Sequence, residues 1–285
     1  MAQRLLGKEV TASYNEKLTE RVNRLKEQGI TPVLEIIRVG ENPGDMSYER
    51  GAMKRCESIG ISVKSVVFEI DVTQEKMLSV IDEANEDPNV HGVLLLRPLP
   101  KHLDSSEIEN RLRPEKDVDC MTDLSMSGVF TGKKLGYAPC TPEAVMEILD
   151  HYGIDCCGKR AVVIGRSLVF GKPAAMMLLK KNATVTVCHT KTKDLPSVAK
   201  EADILIAAAG RAKNVTADYV RAGQIVIDVG INMDENGKLC GDVDFDAAEP
   251  VVSAITPVPG GVGAVTTSIL AGHVVDAAER LIDLS

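Results

Sequence analysis

Aromatic side chains are scarce in this 285-residue chain, which has no Trp, 5 Tyr and 4 Phe, 3% in all. So thin a supply excludes the stacked-base platforms on which single-stranded nucleic acids lie. An excess of basic charge is missing too: 33 Lys and Arg face 41 Asp and Glu, a net −8. That balance argues against nucleic acid or an anionic membrane as the main partner. No uncharged apolar run approaches the ~18 residues that span a bilayer. Met1 to Val10 lacks the roughly 7–15-residue apolar core of a signal peptide. The 7 cysteines form no C-x-x-C pair, and no His stands at zinc-finger spacing. No metal is therefore expected, and a reducing, cytoplasmic compartment is the simple reading. The vicinal pair Cys156-Cys157 reads as structural thiols before it reads as a redox pair.

What remains is ordinary globular composition, 44% apolar and 26% charged, at a length that predicts two domains. Leu18, Val22 and Leu25 recur at helical spacing, and Pro32 to Val39 then reads as a strand. A helix over about Ser47 to Ile59 ends at Gly60. Alternation runs from Ile61 to Ile70, a helical stripe follows at Met77, Val80, Ile81 and Ala84, and Val90 to Leu96 is a buried strand. Leu112 to Pro139 is irregular. Thr141-Pro142-Glu143 has the chemistry of a helix start, and the domain boundary is placed there, dividing residues 1–140 from 141–267. Strands at Ala161–Ile164, Thr184–Cys188, Ile204–Ala208 and Ile225–Val229 then alternate with helices, and a long helix closes the chain from Ala264. Strand–helix alternation of this kind implies an α/β fold with a mostly parallel sheet.

The densest chemistry lies in Arg160 to Pro173. A hydrophobic strand runs into Gly165, Arg166 and Ser167, and Gly171 and Pro173 open a helix. Small residues at such a turn let backbone N–H groups approach a pyrophosphate. A serine replaces the middle glycine of the usual G-x-G-x-x-G pattern, so the turn alone is equally a plain strand–helix connection. Where an NAD enzyme places an acid for the ribose hydroxyl, His189-Thr190-Lys191-Thr192-Lys193 offers hydroxyls and cations. With Arg166 nearby, these favour NADP, with NAD as the alternative; a solvated lysine-rich loop is the competing reading. Two further glycine turns follow, at Asp228 to Asn232 and Thr256 to Gly263.

In this order, Glu115-Lys-Asp-Val-Asp119, Pro139-Cys-Thr-Pro142, Gly165-Arg-Ser167, Ala183 to His189, Val226 to Asn232, Gly241-Asp-Val243 and Thr256 to Gly263 resemble the methylenetetrahydrofolate dehydrogenase/cyclohydrolase (FolD) family. The resemblance implies an N-terminal α/β catalytic domain, a Rossmann NAD(P)-binding domain and an active site in the cleft between them. It also implies a closing helix, 268–285, that returns to the first domain, and a homodimer. The implied reaction is oxidation of 5,10-methylenetetrahydrofolate, then hydrolysis of the methenyl product to 10-formyltetrahydrofolate. By the same resemblance, Gly165, Arg166, Ser167, Thr190 and Ile231 hold the cofactor. Tyr48 and Asp119 are the catalytic and folate-binding pair, with Pro259, Gly260 and Gly261 lining the folate site. A carboxylate such as Asp119 can accept from a pterin's amino group and its neighbouring ring N–H together. Tyr48 offers a flat face and a hydroxyl.

Two departures stand out. The family places a lysine four residues after the tyrosine, and this chain has Ala52. It also places a glutamine two residues before Pro-Leu-Pro, and this chain has Leu96. Lys54 lies about 200° around the helix from Ala52, and Arg97, next to Leu96 on a strand, is expected on the opposite face. Three readings follow: a dehydrogenase with little or no cyclohydrolase activity, the full bifunctional enzyme, or a catalytically silent folate-binding subunit.

Overall fold

The computed structural model describes residues 2–283. Strand β1 (Gln3–Arg4) and helix α1 (Gly7–Glu27) lead into β2 (Val33–Val39), α2 (Pro43–Ile59), β3 (Ser62–Phe68), α3 (Gln74–Glu86) and β4 (Gly92–Leu95). Three helices come next: α4 (Ser105–Arg111), α5 (Asp123–Thr131) and α6 (Cys140–His151). Then follow β5 (Arg160–Ile164), α7 (Gly171–Lys180), β6 (Thr184–Cys188), α8 (Leu195–Lys200), β7 (Ile204–Ala207) and β8 (Ile225–Asp228). The chain closes with the hairpin β9 (Asn232–Met233) and β10 (Leu239–Cys240), then α9 (Phe245–Ala248), β11 (Ala254–Ile255) and α10 (Thr266–Asp283). Residues 284 and 285 of the expected closing helix lie outside the described residues.

One compact unit comprises Ser13–Cys140 and the chain from Thr267 onward. Its parallel sheet has the order β3-β2-β4. The central strand β2 is covered on both faces, which is why it reads as a continuous apolar run. Its two charged residues are both paired: Glu35 lies 2.7 Å from Lys64 Nζ, and Arg38 Nε lies 2.7 Å from Glu49. Met77, Val80, Ile81 and Ala84 form the buried stripe of α3 and pack with Ile37, Leu95 and Ile108. Each large side chain so buried contributes roughly 1.5–3 kcal/mol. Helix α2 starts earlier than Ser47: Asn42 caps it by accepting from Gly44 N–H and Asp45 N–H, and Pro43 occupies its first turn. The stretch expected to be irregular contains α5, whose buried residues are Ser125 and Gly128.

The second unit comprises the described residues up to Ala12 together with Thr141–Thr266. Its six strands are all parallel, in the order β1-β11-β8-β7-β5-β6. From β5 the chain steps outward to β6, then returns to the other side of β5 for β7. Ligands of doubly wound sheets bind at such a reversal, beyond the carboxyl ends of the strands. The placement of the first twelve residues differs from the expected 1–140 domain. Here β1 adds to β11 in register, Leu5 N–H donates to the Ile255 carbonyl at 2.9 Å, and Tyr152 Oη accepts from Leu6 N–H at 2.7 Å. A two-residue strand is too short to show a periodicity, so its sheet is invisible in sequence.

Candidate active site

On the three-stranded unit, Tyr48 and Ala52 are one helical turn apart on α2 and share a face. Tyr48 is half-buried and Ala52 is 0% exposed. Burial pushes the Tyr48 phenol well above its ordinary pKa, and negative charge at Asp119, Cys140 and Cys56 adds to the shift. Tyr48 and Asp119 are thus brought into one neighbourhood. Leu96 is 7% exposed, and its N–H extends the β4 ladder by donating to the Ile37 carbonyl at 2.9 Å.

The Glu115 to Asp119 motif divides its charges between scaffold and site. Lys116 Nζ donates to the carbonyls of Ala84 and Asp87, at 2.7 and 2.6 Å, tying the motif to the end of α3. The buried Asp117 accepts from Met121 N–H and Thr122 N–H, both at 2.9 Å. Between these anchors Cys120 adopts a left-handed φ of 56°, which a side chain rarely takes. Asp119 accepts from Cys140 N–H at 3.1 Å, one of roughly four lone-pair directions open to a carboxylate. Desolvation raises its pKa, while the Cys140 bonds and the Arg97 charge work against that rise. The α6 start therefore lies at Cys140, facing Asp119, rather than at a Thr141 cap.

Arg97 departs from expectation. Strand β4 ends at Leu95, so strand alternation no longer sets its direction. Its guanidinium lies 3.3 Å from Glu109, and its charge is felt at Asp119. Lys54 is exposed.

On the second unit, Gly165, Arg166 and Ser167 follow β5 at the sheet reversal. Gly165 has a φ of 137°, and a Cβ there would drive into the Ala208 carbonyl oxygen. A Cβ at Gly171 would strike the Gly165 carbonyl and the Arg166 amide. The two glycines thus let α7 close down on the turn, as a nucleotide phosphate site requires. Ser167 Oγ accepts from Phe170 N–H at 3.1 Å, shaping the loop. Arg166 and Thr190 are exposed at the ends of β5 and β6. Ile231, Pro259, Gly260 and Gly261 line a different hollow of about 320 Å³, together with Asp228 and Leu239. Ile231 is 68% exposed, an unusual position for a large aliphatic side chain.

Two acids that the sequence marked only as motif members fix these loops. Asp242 accepts from the N–H groups of Ala209, Gly210 and Arg211, at 2.5, 2.9 and 2.8 Å, and from Asn232 Nδ2 at 2.9 Å. Asp228 accepts from Gly230, Asp242 and Val243 N–H, at 3.0, 2.9 and 2.9 Å. Desolvation outweighs those bonds and lifts the Asp228 pKa from 3.8 to about 6. Because the folded pKa is raised, the contribution to stability is full below about pH 4, falls as the pH rises to about 6, and is level above that. The window amounts to roughly 3 kcal/mol. In denaturant unfolding, wild type is expected to lose stability relative to Asp228→Asn by about that much between about pH 4 and about pH 7. A difference independent of pH would contradict the shift.

Comparison with known proteins finds two family models along the chain. Residues 139–282 match the family model for the tetrahydrofolate dehydrogenase/cyclohydrolase NAD(P)-binding domain, and residues 5–119 match that for its catalytic domain. The chain is 54% identical over 275 residues to the bifunctional protein FolD of Clostridioides difficile, covering 96% of each. It superposes with a TM-score of 0.96 on the bifunctional FolD of Campylobacter jejuni, at 41% identity, covering 99% of this chain and 100% of that one. The Trypanosoma brucei dehydrogenase-cyclohydrolase, solved with NADP and an inhibitor, gives a TM-score of 0.93 at 34% identity, covering 99% of this chain and 98% of the other. The chain belongs to the tetrahydrofolate dehydrogenase/cyclohydrolase family.

Proposed function

We propose that this chain oxidises 5,10-methylenetetrahydrofolate to the 5,10-methenyl form with NADP, and that it opens that product by hydrolysis slowly or not at all. A contrast on one unit carries the proposal. Tyr48 and Asp119 share a neighbourhood, whereas Ala52 and Leu96, buried at 0% and 7% exposure, present only hydrocarbon.

Gly165 and Gly171 let the start of α7 close on the turn after β5, and backbone N–H groups at such a turn would take a dinucleotide pyrophosphate. When bound there, the nicotinamide supplies the hydride acceptor. Arg166 and Thr190, exposed at the ends of β5 and β6, would take a ribose 2′-phosphate, and no acid stands among residues 189–193 to favour a free hydroxyl. The NADP held by the trypanosome relative supports the same preference. Asp119 would accept from the pterin amino group and its neighbouring N–H, fixing the ring. Tyr48, whose phenol is protonated at neutral pH, would donate beside it. Hydride loss leaves a cation shared with the folate nitrogen, so this step needs alignment rather than a general base.

Hydrolysis is different, because water attack and ring opening move protons. A positioned acid–base group is worth roughly 10²–10⁴-fold there, and neither alanine nor leucine has a donor or acceptor. The homodimer belongs to the proposal too, supported by the edge strand β3 with Val67 and the nearby Ile70 exposed. A cytoplasmic location is supported by 7 cysteines, none of which is in a disulfide among the described residues.

A second reading, the full bifunctional activity, is favoured by the names of the relatives and by the Arg97 charge reaching Asp119. The dehydrogenase itself is tested by supplying methylenetetrahydrofolate with NADP or NAD. Reduced nicotinamide is expected with NADP in preference to NAD. No reduction with either would return the silent folate-binding subunit.

A further inference from the structure

We infer that His273, on α10, is a positioning residue for Asp119. The inference rests on the reading that folate is oriented by Asp119. His273 is 3% exposed, and its Nδ1 lies 2.8 Å from the Val118 carbonyl oxygen. A carbonyl can only accept, so Nδ1 carries the proton and donates. The same oxygen accepts from Cys140 Sγ at 3.4 Å, while Cys140 N–H donates to Asp119 Oδ1 at 3.1 Å. His273 and Cys140 thus grip both ends of one short segment.

The Val118 carbonyl and the Asp119 N–H belong to one planar peptide unit. Fixing the carbonyl fixes that plane, and with it the direction in which the Asp119 side chain leaves the backbone. The plane needs holding, because Cys120 on its far side has a left-handed φ of 56° and a freed loop has a lower-energy conformation available. The imidazole is itself wedged: the Tyr137 ring lies 5.0 Å from it, and the Arg280 guanidinium stands 4.4 Å over Tyr137. Sequence reading missed this group because positions 118 and 273 are joined only by the fold.

The two imidazole nitrogens have separate amide mimics. An Asn places its amide nitrogen about as far from Cβ as Nδ1 and can still donate to Val118. A Gln carries its nitrogen one bond farther, where Nε2 stood, and leaves the carbonyl with only the weak Cys140 thiol as donor. Both variants are polar and similar in size, so a general loss of packing affects both.

Steady-state kinetics should therefore separate them. His273→Gln is expected to raise KM for methylenetetrahydrofolate about tenfold with KM for the cofactor unchanged, the cost of one buried hydrogen bond. His273→Asn should stay within about twofold of wild type in both. Combined with Asp119→Asn, His273→Gln should add less than about twofold, since a group acting through Asp119 has nothing left to position. Equal impairment by Asn and Gln would overturn the inference, as would a cofactor KM that rises in step with the folate KM. If His273→Gln does not fold, the Asn variant decides alone, and a tenfold rise there overturns it. An Asp119→Asn variant with an unaltered folate KM would instead remove the reading on which the inference rests.

Discussion

Placing Lys at position 52 and Gln at position 96 together is expected to accelerate hydrolysis of methenyltetrahydrofolate by roughly 10²–10⁴-fold over the unsubstituted chain. Position 52 lies one turn from Tyr48 on the same face of α2. On the proposed reading, positions 52 and 96 lack side chains that can hold or move a proton. Ala52→Lys alone should give less, because an ammonium at a fully buried position pays for desolvation. The single variant should also be less stable than the pair. Loss of the methenyl substrate, corrected for its hydrolysis in buffer, measures all of these chains. An unsubstituted chain that already matches the double variant would show that Ala52 and Leu96 do not limit the step.

Asp119→Asn is expected to raise KM for methylenetetrahydrofolate by about 10²-fold while leaving KM for the cofactor unchanged. The amide keeps an oxygen for Cys140 N–H, which donates at 3.1 Å, so the loop should stay in place. On the proposed reading its other end becomes a donor that would face donors on the pterin. Hydrogen bonds to a charged group contribute about 1.5–3 kcal/mol each, and one such bond is both lost and replaced by a conflict. A folate KM within about twofold of wild type would mean that Asp119 serves only the start of α6.

The parallel αβ architecture was legible because buried strands such as β5, β7 and β8 are continuous apolar runs and α3 carries a clean stripe. The elements that escaped are short or atypical. Strands β1 and β11 have two residues each and exist only as partners of one another and of β8. Helix α5 buries Ser125 and Gly128 in place of large apolar residues, so it left no period to read. At the site, Gly165 and Gly171 can be found from their spacing, and Asp119 through the family resemblance of the Glu115 to Asp119 motif. The contacts that hold them are long-range. Asp242 reaches back to Ala209, Gly210 and Arg211, and His273 reaches back to Val118. Arg97 was misread for a related reason, since the strand that would have turned it away stops at Leu95.

The central claim separates two steps of one pathway on one protein, and it is tested most directly by following both products in a single reaction. Purified protein receives methylenetetrahydrofolate and NADP, and methenyl- and 10-formyltetrahydrofolate are measured against reduced nicotinamide over time. The account predicts methenyltetrahydrofolate accumulating one for one with reduced nicotinamide, and formyl product appearing only at the rate seen in buffer. Formyl product keeping pace with reduced nicotinamide from the start would contradict it and establish the full bifunctional activity despite Ala52 and Leu96.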